Sequence, residues 1–418
     1  MFASIPPQFP DLEGLYEDMH AHPELSFAEH RTAALLADRL QALGYEVTTG
    51  VGGTGVVATL SNGEGPTVLI RADIDALPVK EATGLPYASA VTAINDDGES
   101  VPVAHACGHD MHATWLIGTA TVLAGHLDQW QGRLLLVVQP AEEIGTGADA
   151  MIDDGLYERF GTPTVALGQH VVPSPAGTVL HRSGPIMAAS DALKITLHGH
   201  GGHGSSPHTT VDPVVMAAST VMKLQTIVSR GVDPGATAVV TVGTLHAGTK
   251  ENIIPDNAVL SLSVRTFEPN VRDRVLSSIA RIAEGEAASY GAPKPPEVDS
   301  IYSFPLTEND PTATDIVAAA FDAHFGPERS LQAPMATGSE DFGMLGRRGG
   351  YPSVYWFVGG TDPELWNKAY AAGRIAEDIP FNHSPGFAPV QHPTIATGIE
   401  AMITAALCWL APHEPADV

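Results

Sequence analysis

Cysteine is nearly missing from this chain: its 418 residues contain two, Cys107 and Cys408, far apart. No disulfide framework follows from that, and a reducing, cytoplasmic compartment fits best. Basic residues are scarce as well, with 21 Lys and Arg against 48 Asp and Glu and a formal net charge of −27. A field of that sign repels nucleic acid and anionic membrane surfaces, so neither is expected as a partner. An anionic small molecule would need a local basic clamp. No apolar run reaches the ~20 residues a membrane span requires; the longest lies near Ala401–Pro412. The opening stretch MFASIPPQFP has neither a basic start nor an apolar core, so it is not read as a secretory signal. Low-complexity tracts and internal repeats are also lacking. Apolar content is ordinary for a globular protein, and the length exceeds one usual core, so two domains are expected.

What is present begins with periodic apolar segments. Helical spacing covers Leu12–His20 and Phe27–Leu43, the second with Ser26 as N-cap, Glu29 three residues on as a capping box, and Gly44 past its end. Between them, His20 and His22 read equally as exposed turn residues or as a pocket wall. Short apolar strands follow, each running into polar residues: Thr67–Ile70 into Arg71–Asp75, Leu134–Val138 into Gln139–Glu143, and Val165–Leu167 into Gly168–His170. Helical stretches alternate with them. This is the pattern of an α/β fold with a doubly wound, mostly parallel sheet, in which ligands bind beyond the carboxyl ends of strands. From about Ala188 the pattern changes. Asp191–His198, Ala236–Leu245 and Ala258–Thr266 alternate as half-exposed strands, and Glu297–Ile301 is expected as a fourth. Two long helices, 212–230 with Asp212 as cap and Pro213 at its start, and Val271–Tyr290, complete a small α+β, ferredoxin-like insert. The expected organisation is a discontinuous catalytic domain, 1–187 and 302–418, interrupted by a domain at 188–301.

The densest chemistry lies in Ala104–Thr114, AHACGHDMHAT, with His105, Cys107, His109, Asp110 and His112 close together. Cys and His bind borderline divalent metals, and Zn²⁺ accepts both. Cys107 and His109 would point the same way in an extended segment. A helix over Trp115–Leu123 would favour a thiolate at its entrance. Taken alone, one Cys-x-His is more often a buried Cys beside surface histidines. Glu143, His170 and, far along the chain, His383 add three further donors. Five ligands are too many for one tetrahedral site and suit two metals that share a ligand and a water. Asp73 could orient a ligand histidine. In the pair Glu142-Glu143 one carboxylate can bind metal and the other can serve as general base, although such pairs usually sit in solvent. The Gly- and His-rich run Gly199–His208 contains His203 and His208; without a following Lys-Ser/Thr it is no phosphate loop. Asn252 and Arg265 flank a strand of the insert, and an Arg in so acidic a chain could clamp a carboxylate or form an ordinary surface ion pair.

Taken together, His20–Glu24, RADIDALP (71–78), HACGHDMH (105–112), QPAEE (139–143), GQH (168–170), GGHGSSPH (201–208), NIIPD (252–256), GSEDFG (338–343) and His383 resemble the M20 metallopeptidase and aminoacylase family. The nearest subgroup is the N-acyl-amino-acid, hippurate and indole-acetyl-amino-acid amidohydrolases, and within it actinobacterial aminoacylases. The resemblance implies a catalytic domain around two divalent metals, Zn²⁺ first with Mn²⁺ or Co²⁺ as alternatives. It implies Cys107, His109, Glu143, His170 and His383 as ligands and Glu142 as general base. It also implies a homodimer through the insert, with His203 reaching the partner's site to hold an oxyanion and Asn252 and Arg265 contacting the substrate carboxylate. Most relatives carry a carboxylate where Cys107 stands, so the bridging ligand stays open. His112, His208, Glu340 and Asp341 match motifs without an assigned role. The expected activity is hydrolysis of the amide bond of N-acyl-L-amino acids; a dipeptidase or carboxypeptidase on the same scaffold, and a non-catalytic metal-loaded binding dimer, are the alternatives.

Overall fold

The computed structural model describes residues 10–95 and 98–410. The opening stretch read above as no secretory signal lies outside these residues apart from Pro10, as does Pro412 at the end of the longest apolar run. In chain order the first elements are α1 (Pro10–Ala21), α2 (His30–Ala42), β1 (Glu46–Val51), β2 (Gly55–Asn62), β3 (Thr67–Asp73), α3 (His109–Gly125), β4 (Gly132–Gln139), β5 (Val165–Pro175) and β6 (Val179–His181). There follow β7 (Ala189–His198), β8 (Gly202–His203), α4 (Pro213–Thr226), β9 (Ala238–Ala247), β10 (Ile253–Ile254), β11 (Asn257–Thr266), α5 (Pro269–Tyr290) and β12 (Glu297–Phe304). The chain closes with α6 (Pro311–Phe325), β13 (Ser330–Gln332), β14 (Ser353–Thr361) and α7 (Thr394–Leu410).

Two compact units emerge, one of Met1–Ile186, Glu308–Pro334 and Asp341–Val418, the other of Met187–Thr307 and Met335–Glu340. The division differs from the sequence boundaries at its far side. Residues 302–307 stay with the smaller unit because β12 runs on to Phe304 beside β7, and 335–340 join it by a bridge from Met187 to Ala336.

The larger unit is an α/β layer structure around an eight-stranded sheet in the order β1-β2-β4-β3-β5-β14-β6-β13. Its centre is parallel: β3 pairs in that sense with β4 and β5, and β5 with β14. These strands carry apolar runs on both faces because both are covered; Leu134–Val138 are all fully buried. The long, largely apolar α7 packs on α3 and on β5, which is why the longest apolar run is a core helix and not a membrane span. Among the described residues, no helix is long and apolar enough to cross a membrane. The smaller unit is an antiparallel sheet, β9-β11-β7-β12, with strict in–out alternation on β11 and a core shared with α4 and α5. Its β-α-β-β-α-β order gives the ferredoxin-like arrangement. Asp212 caps α4 by accepting the amide of Val214.

Two local expectations change. Helix α2 starts at His30, three residues late, and no capping box forms. Ser26 and Glu29 point inward to other partners, described below. The strand expected to end at Leu167 runs on to Pro175, so Gly168–His170 lie inside β5 and not after it.

Candidate metal centre and active site

Site-bearing segments leave the carboxyl ends of β3 and β4, lie along β5, and include the loop before α3. Asp73 ends β3, and Asp75 follows in the next turn. Gly108 then takes φ 89 before α3 begins at His109. A side chain there would meet Val171 of β5, so only glycine lets this loop press against the sheet. Cys107 and His109 are therefore joined by a tight turn, not an extended segment, and the helix starts six residues earlier than Trp115. After β4, Ala141 adopts φ 51 and turns Glu142 and Glu143 toward the same place.

These turns bring the dispersed donors of the larger unit together. Potential ligand atoms of Cys107, His109 and His170 lie within 4.8 Å of one another, as do those of Cys107, Glu143 and His383 and those of His109, Glu142 and Glu143. Cys107 Sγ is 3.4 Å from His170 Nε2, and His383 Nε2 is 3.4 Å from Glu143 Oε2. His109 Nε2 is 3.8 Å from both Glu142 Oε2 and Glu143 Oε1. All are buried except Glu143, which is half-buried, and His383, which is exposed.

Hydrogen bonds fix how these groups face. His170 Nδ1 lies 2.7 Å from the carbonyl of Val171. A carbonyl only accepts, so Nδ1 carries the proton and Nε2 presents its lone pair toward Cys107. His109 Nδ1 is held at 3.2 Å by Asp75, while its Nε2 and Glu143 Oε1 are buried without a hydrogen-bond partner. Such orphans need a partner, and a cation that displaces the His109 proton would serve both. The electrostatics agree. Burial, with Glu143 and Glu142 close by, pushes the Cys107 thiol well up, against the thiolate expected at a helix entrance. Burial pushes Glu143 up to about 8, partly opposed by His109. His109 would be lowered by burial, but the charge of Asp73 and the bond to Asp75 lift it to about 10. A dry, acid-rich donor set becomes favourable when cations sit on it. The residues present therefore fit divalent metal.

A buried polar chain supports the donors. Asp341 accepts from Arg71, from Gln139 at 2.7 Å and from the amide of Ala148. Arg71 pairs with Asp73, and Asp73 takes the Nδ1 proton of His112 at 2.5 Å. His112 Nε2 accepts from the amide of Val171, next to His170, so both its nitrogens are committed and it is a brace. Asp73 is thus on His112, and 3.6 Å from His109 Nε2; the residue on His109 Nδ1 is Asp75. Asp75, not singled out in the sequence, also accepts the amides of Glu142 and Glu143 and the hydroxyl of Ser26. The only available signal was its place two residues past Asp73 at a strand end.

His20 is buried between Asp110, at 2.6 Å, and Glu81, at 3.1 Å, while His22 is exposed. Burial alone would lower His20, but these two hydrogen bonds carry it up to about 10. The pair therefore divides between the two readings: His20 ties α1 to the first turn of α3, and His22 is a surface residue. His105 is buried with no hydrogen-bond partner on either nitrogen, and burial lowers it to about 4.

In the smaller unit His203, His208 and Asn252 are solvent-facing and Arg265 is half-buried. β8 and β10 form a two-stranded ribbon that sets His203 opposite Ile253, and the amide of Gly204 donates to the carbonyl of Asn252 at 2.9 Å. His203 and Asn252 are thereby neighbours. His203 Nδ1 accepts the Ser205 amide at 3.1 Å, which leaves the ring proton on Nε2. Arg265, on β11, donates to Ser339. His208 is exposed in a short turn. Glu340 is buried and its carbonyl accepts from Thr307.

The sequence profile of peptidase family M20/M25/M40 matches residues 69–373, well over half of the chain. The chain belongs to that family. Thermostable carboxypeptidase 2 of Saccharolobus solfataricus is 38% identical over 347 residues, covering 82% of this chain and 84% of that protein. Hippurate hydrolase of Campylobacter jejuni is 38% identical over 351 residues, covering 81% and 87%. The Bacillus subtilis YXEP protein, described as a dinuclear metal-binding peptidase of the M20 family, superposes with a TM-score of 0.74 at 31% identity, covering 95% of this chain and 98% of that one. As an M20 member, this chain is a metal-dependent hydrolase acting on amide bonds.

Proposed function

We propose that this M20 enzyme hydrolyses the amide bond of N-acyl-L-amino acids, releasing a carboxylic acid and a free amino acid. The observation that carries this reading is the convergence of Cys107, His109, Glu143, His170 and His383 beside Glu142, whose backbone is pinned to Asp75. The five donors would hold two divalent cations, Zn²⁺ first and Mn²⁺ or Co²⁺ as alternatives. Such ions lower the pKa of water and polarise a carbonyl. Glu142 removes a proton from the attacking water as its oxygen bonds to the amide carbon. The C–N bond then breaks, and Glu142 returns the proton to the departing amine. His203, with its proton on Nε2, donates to the developing oxyanion, delivered from a second copy of the chain in a homodimer. Asn252 and Arg265 hold the amino acid's carboxylate and so fix orientation. This clamp answers the requirement that an anionic substrate approach a chain of net charge −27.

Hippurate is itself an N-acylated amino acid, which favours this substrate class; the carboxypeptidase relative favours a peptide occupant of the same site. Release of free amino acid is to be measured from N-acetyl, N-benzoyl and long-chain acyl amino acids and from dipeptides, with each metal. Cleavage of the acyl series is the expected result. Turnover confined to dipeptides overturns the acyl assignment, and recovery of every compound uncut would make the protein a binder. Glu142→Gln is expected to keep its metal and lose about 10²- to 10⁴-fold in kcat.

A further inference from the structure

The sequence motif that reads as a capping box is used for something else. Glu29 stands at the N-cap position of α2, but its side chain makes no capping bond there. Its carboxylate is fully buried and faces the turn after β4. Oε1 accepts two amides, from Phe27 and from Ala141, each at 2.9 Å. Oε2 accepts the hydroxyl of Thr54. All three donors are neutral, so the acid sits in a dry place with no cation of its own, and burial, with Asp75 nearby, raises its pKa.

The two amides share an unusual property. Phe27 has φ 59 and Ala141 has φ 51; with His383 they are the non-glycine residues of positive φ among the described ones. Side chains disfavour this left-handed conformation, and it persists where surrounding contacts over-determine it. One carboxylate oxygen therefore ties together two left-handed residues lying more than a hundred positions apart. Ala141 immediately precedes Glu142 and Glu143. The next two amides, those of Glu142 and Glu143, are taken by Asp75 at 3.1 and 3.0 Å, and Asp75 is in turn held by Ser26 at 2.7 Å. Three successive amides of the turn thus end on two buried carboxylates, and Ser26 and Glu29 come from one four-residue stretch.

We propose that Glu29 is a positioning residue for the Glu142-Glu143 pair, holding Ala141 in its left-handed turn so that the proton carrier and its neighbouring ligand face the donor cluster together. The inference rests on the reading of Glu142 given above. The acceptor, not the negative charge, is what the turn requires. Gln at 29 keeps an oxygen for both amides, and its NH2 can meet Thr54, whose hydroxyl can rotate to accept. Leu at 29 keeps most of the volume and removes the acceptor.

The test compares Glu29→Gln, Glu29→Leu and Thr54→Val with Glu142→Gln in the metal-loaded full chain, reading kcat, KM and bound metal for each. Glu29→Leu is expected to lose about 10- to 100-fold in kcat, the range for misplaced catalytic groups, with KM little changed and metal retained by the four donors other than Glu143. Glu29→Gln is expected to stay close to wild type, and Thr54→Val to lower thermal stability while leaving kcat nearly intact. Wild-type kcat in a folded Glu29→Leu, or a loss in Glu29→Gln as deep as in Glu142→Gln, overturns the proposal. If Glu29→Leu does not fold, Glu29→Gln still decides. An active Glu142→Gln would instead remove the reading of Glu142, whatever the position-29 variants do.

Discussion

The two compact units hold their functional candidates in opposite ways. In the larger one, the donor side chains are mostly buried and several are aimed by buried partners: His109 by Asp75, His170 by the Val171 carbonyl, and the turn carrying Glu142 and Glu143 by Asp75 and, through the Ala141 amide, by Glu29. In the smaller one, His203 on a two-stranded ribbon and Asn252 beside it face solvent, and His203 is oriented by Ser205 two residues on. Caging cations demands fixed geometry and low dielectric, and the larger unit supplies both through charge networks. A group that meets substrate from outside needs a settled tautomer more than a settled position. Function and stability should therefore be coupled in the first unit and separable in the second.

The sharpest test of that contrast is His203→Ala. It should lower kcat about 10²- to 10³-fold, as the loss of one oxyanion donor does, with an unchanged melting temperature. A large drop in stability would break the comparison. Asp75→Asn should weaken metal binding about 10- to 100-fold, the usual effect of a residue that orients a ligand, and should also lower the melting temperature because four donors, His109, Ser26 and the amides of Glu142 and Glu143, lose their charged acceptor. Metal titration by calorimetry together with thermal melts reads both. The mildest effect lies farther out, at His20. Its folded pKa of about 10 stands above the ordinary 6.5, so its contribution is complete below pH 6.5 and is lost as pH rises through about 10. Between those values one proton is held by the folded chain alone, a slope of about 1.4 kcal/mol per pH unit at most. His20→Gln should flatten that part of the stability curve, followed by chemical denaturation at stepped pH.

Much of the donor cluster was legible because it is carried by rare residue types in short motifs. Cys107-x-His109 and Glu142-Glu143 say little alone and gain meaning together, because short apolar strands running into polar residues point to one end of a sheet. The supporting residues were not legible, because their partners are remote. Asp75 meets residues near 26, 109 and 142, and Asp341 meets Arg71 across 270 positions. Ser26 and Glu29 were misread for a definite reason. The spacing Ser-x-x-Glu before an apolar helix satisfies the local rule for a cap, and only the tertiary fold, which offers Asp75 and the Ala141 amide, gives these side chains better partners. The strand through His170 was cut short for a similar cause: a polar Gln-His pair inside a strand looks like its end unless the neighbouring strand, β14, is known to continue alongside.

The proposed catalysis depends most on the converging donors of the larger unit being a cation cage. The direct measurement is metal stoichiometry by elemental analysis on the chelator-stripped protein retitrated with Zn²⁺, with hydrolysis assayed at each addition. Two ions per chain, activity lost on stripping and restored with the second ion, and one site or both weakened in Cys107→Ala and His109→Ala, is the expected result. Full hydrolysis by the stripped protein, or ion binding indifferent to both substitutions, would contradict it.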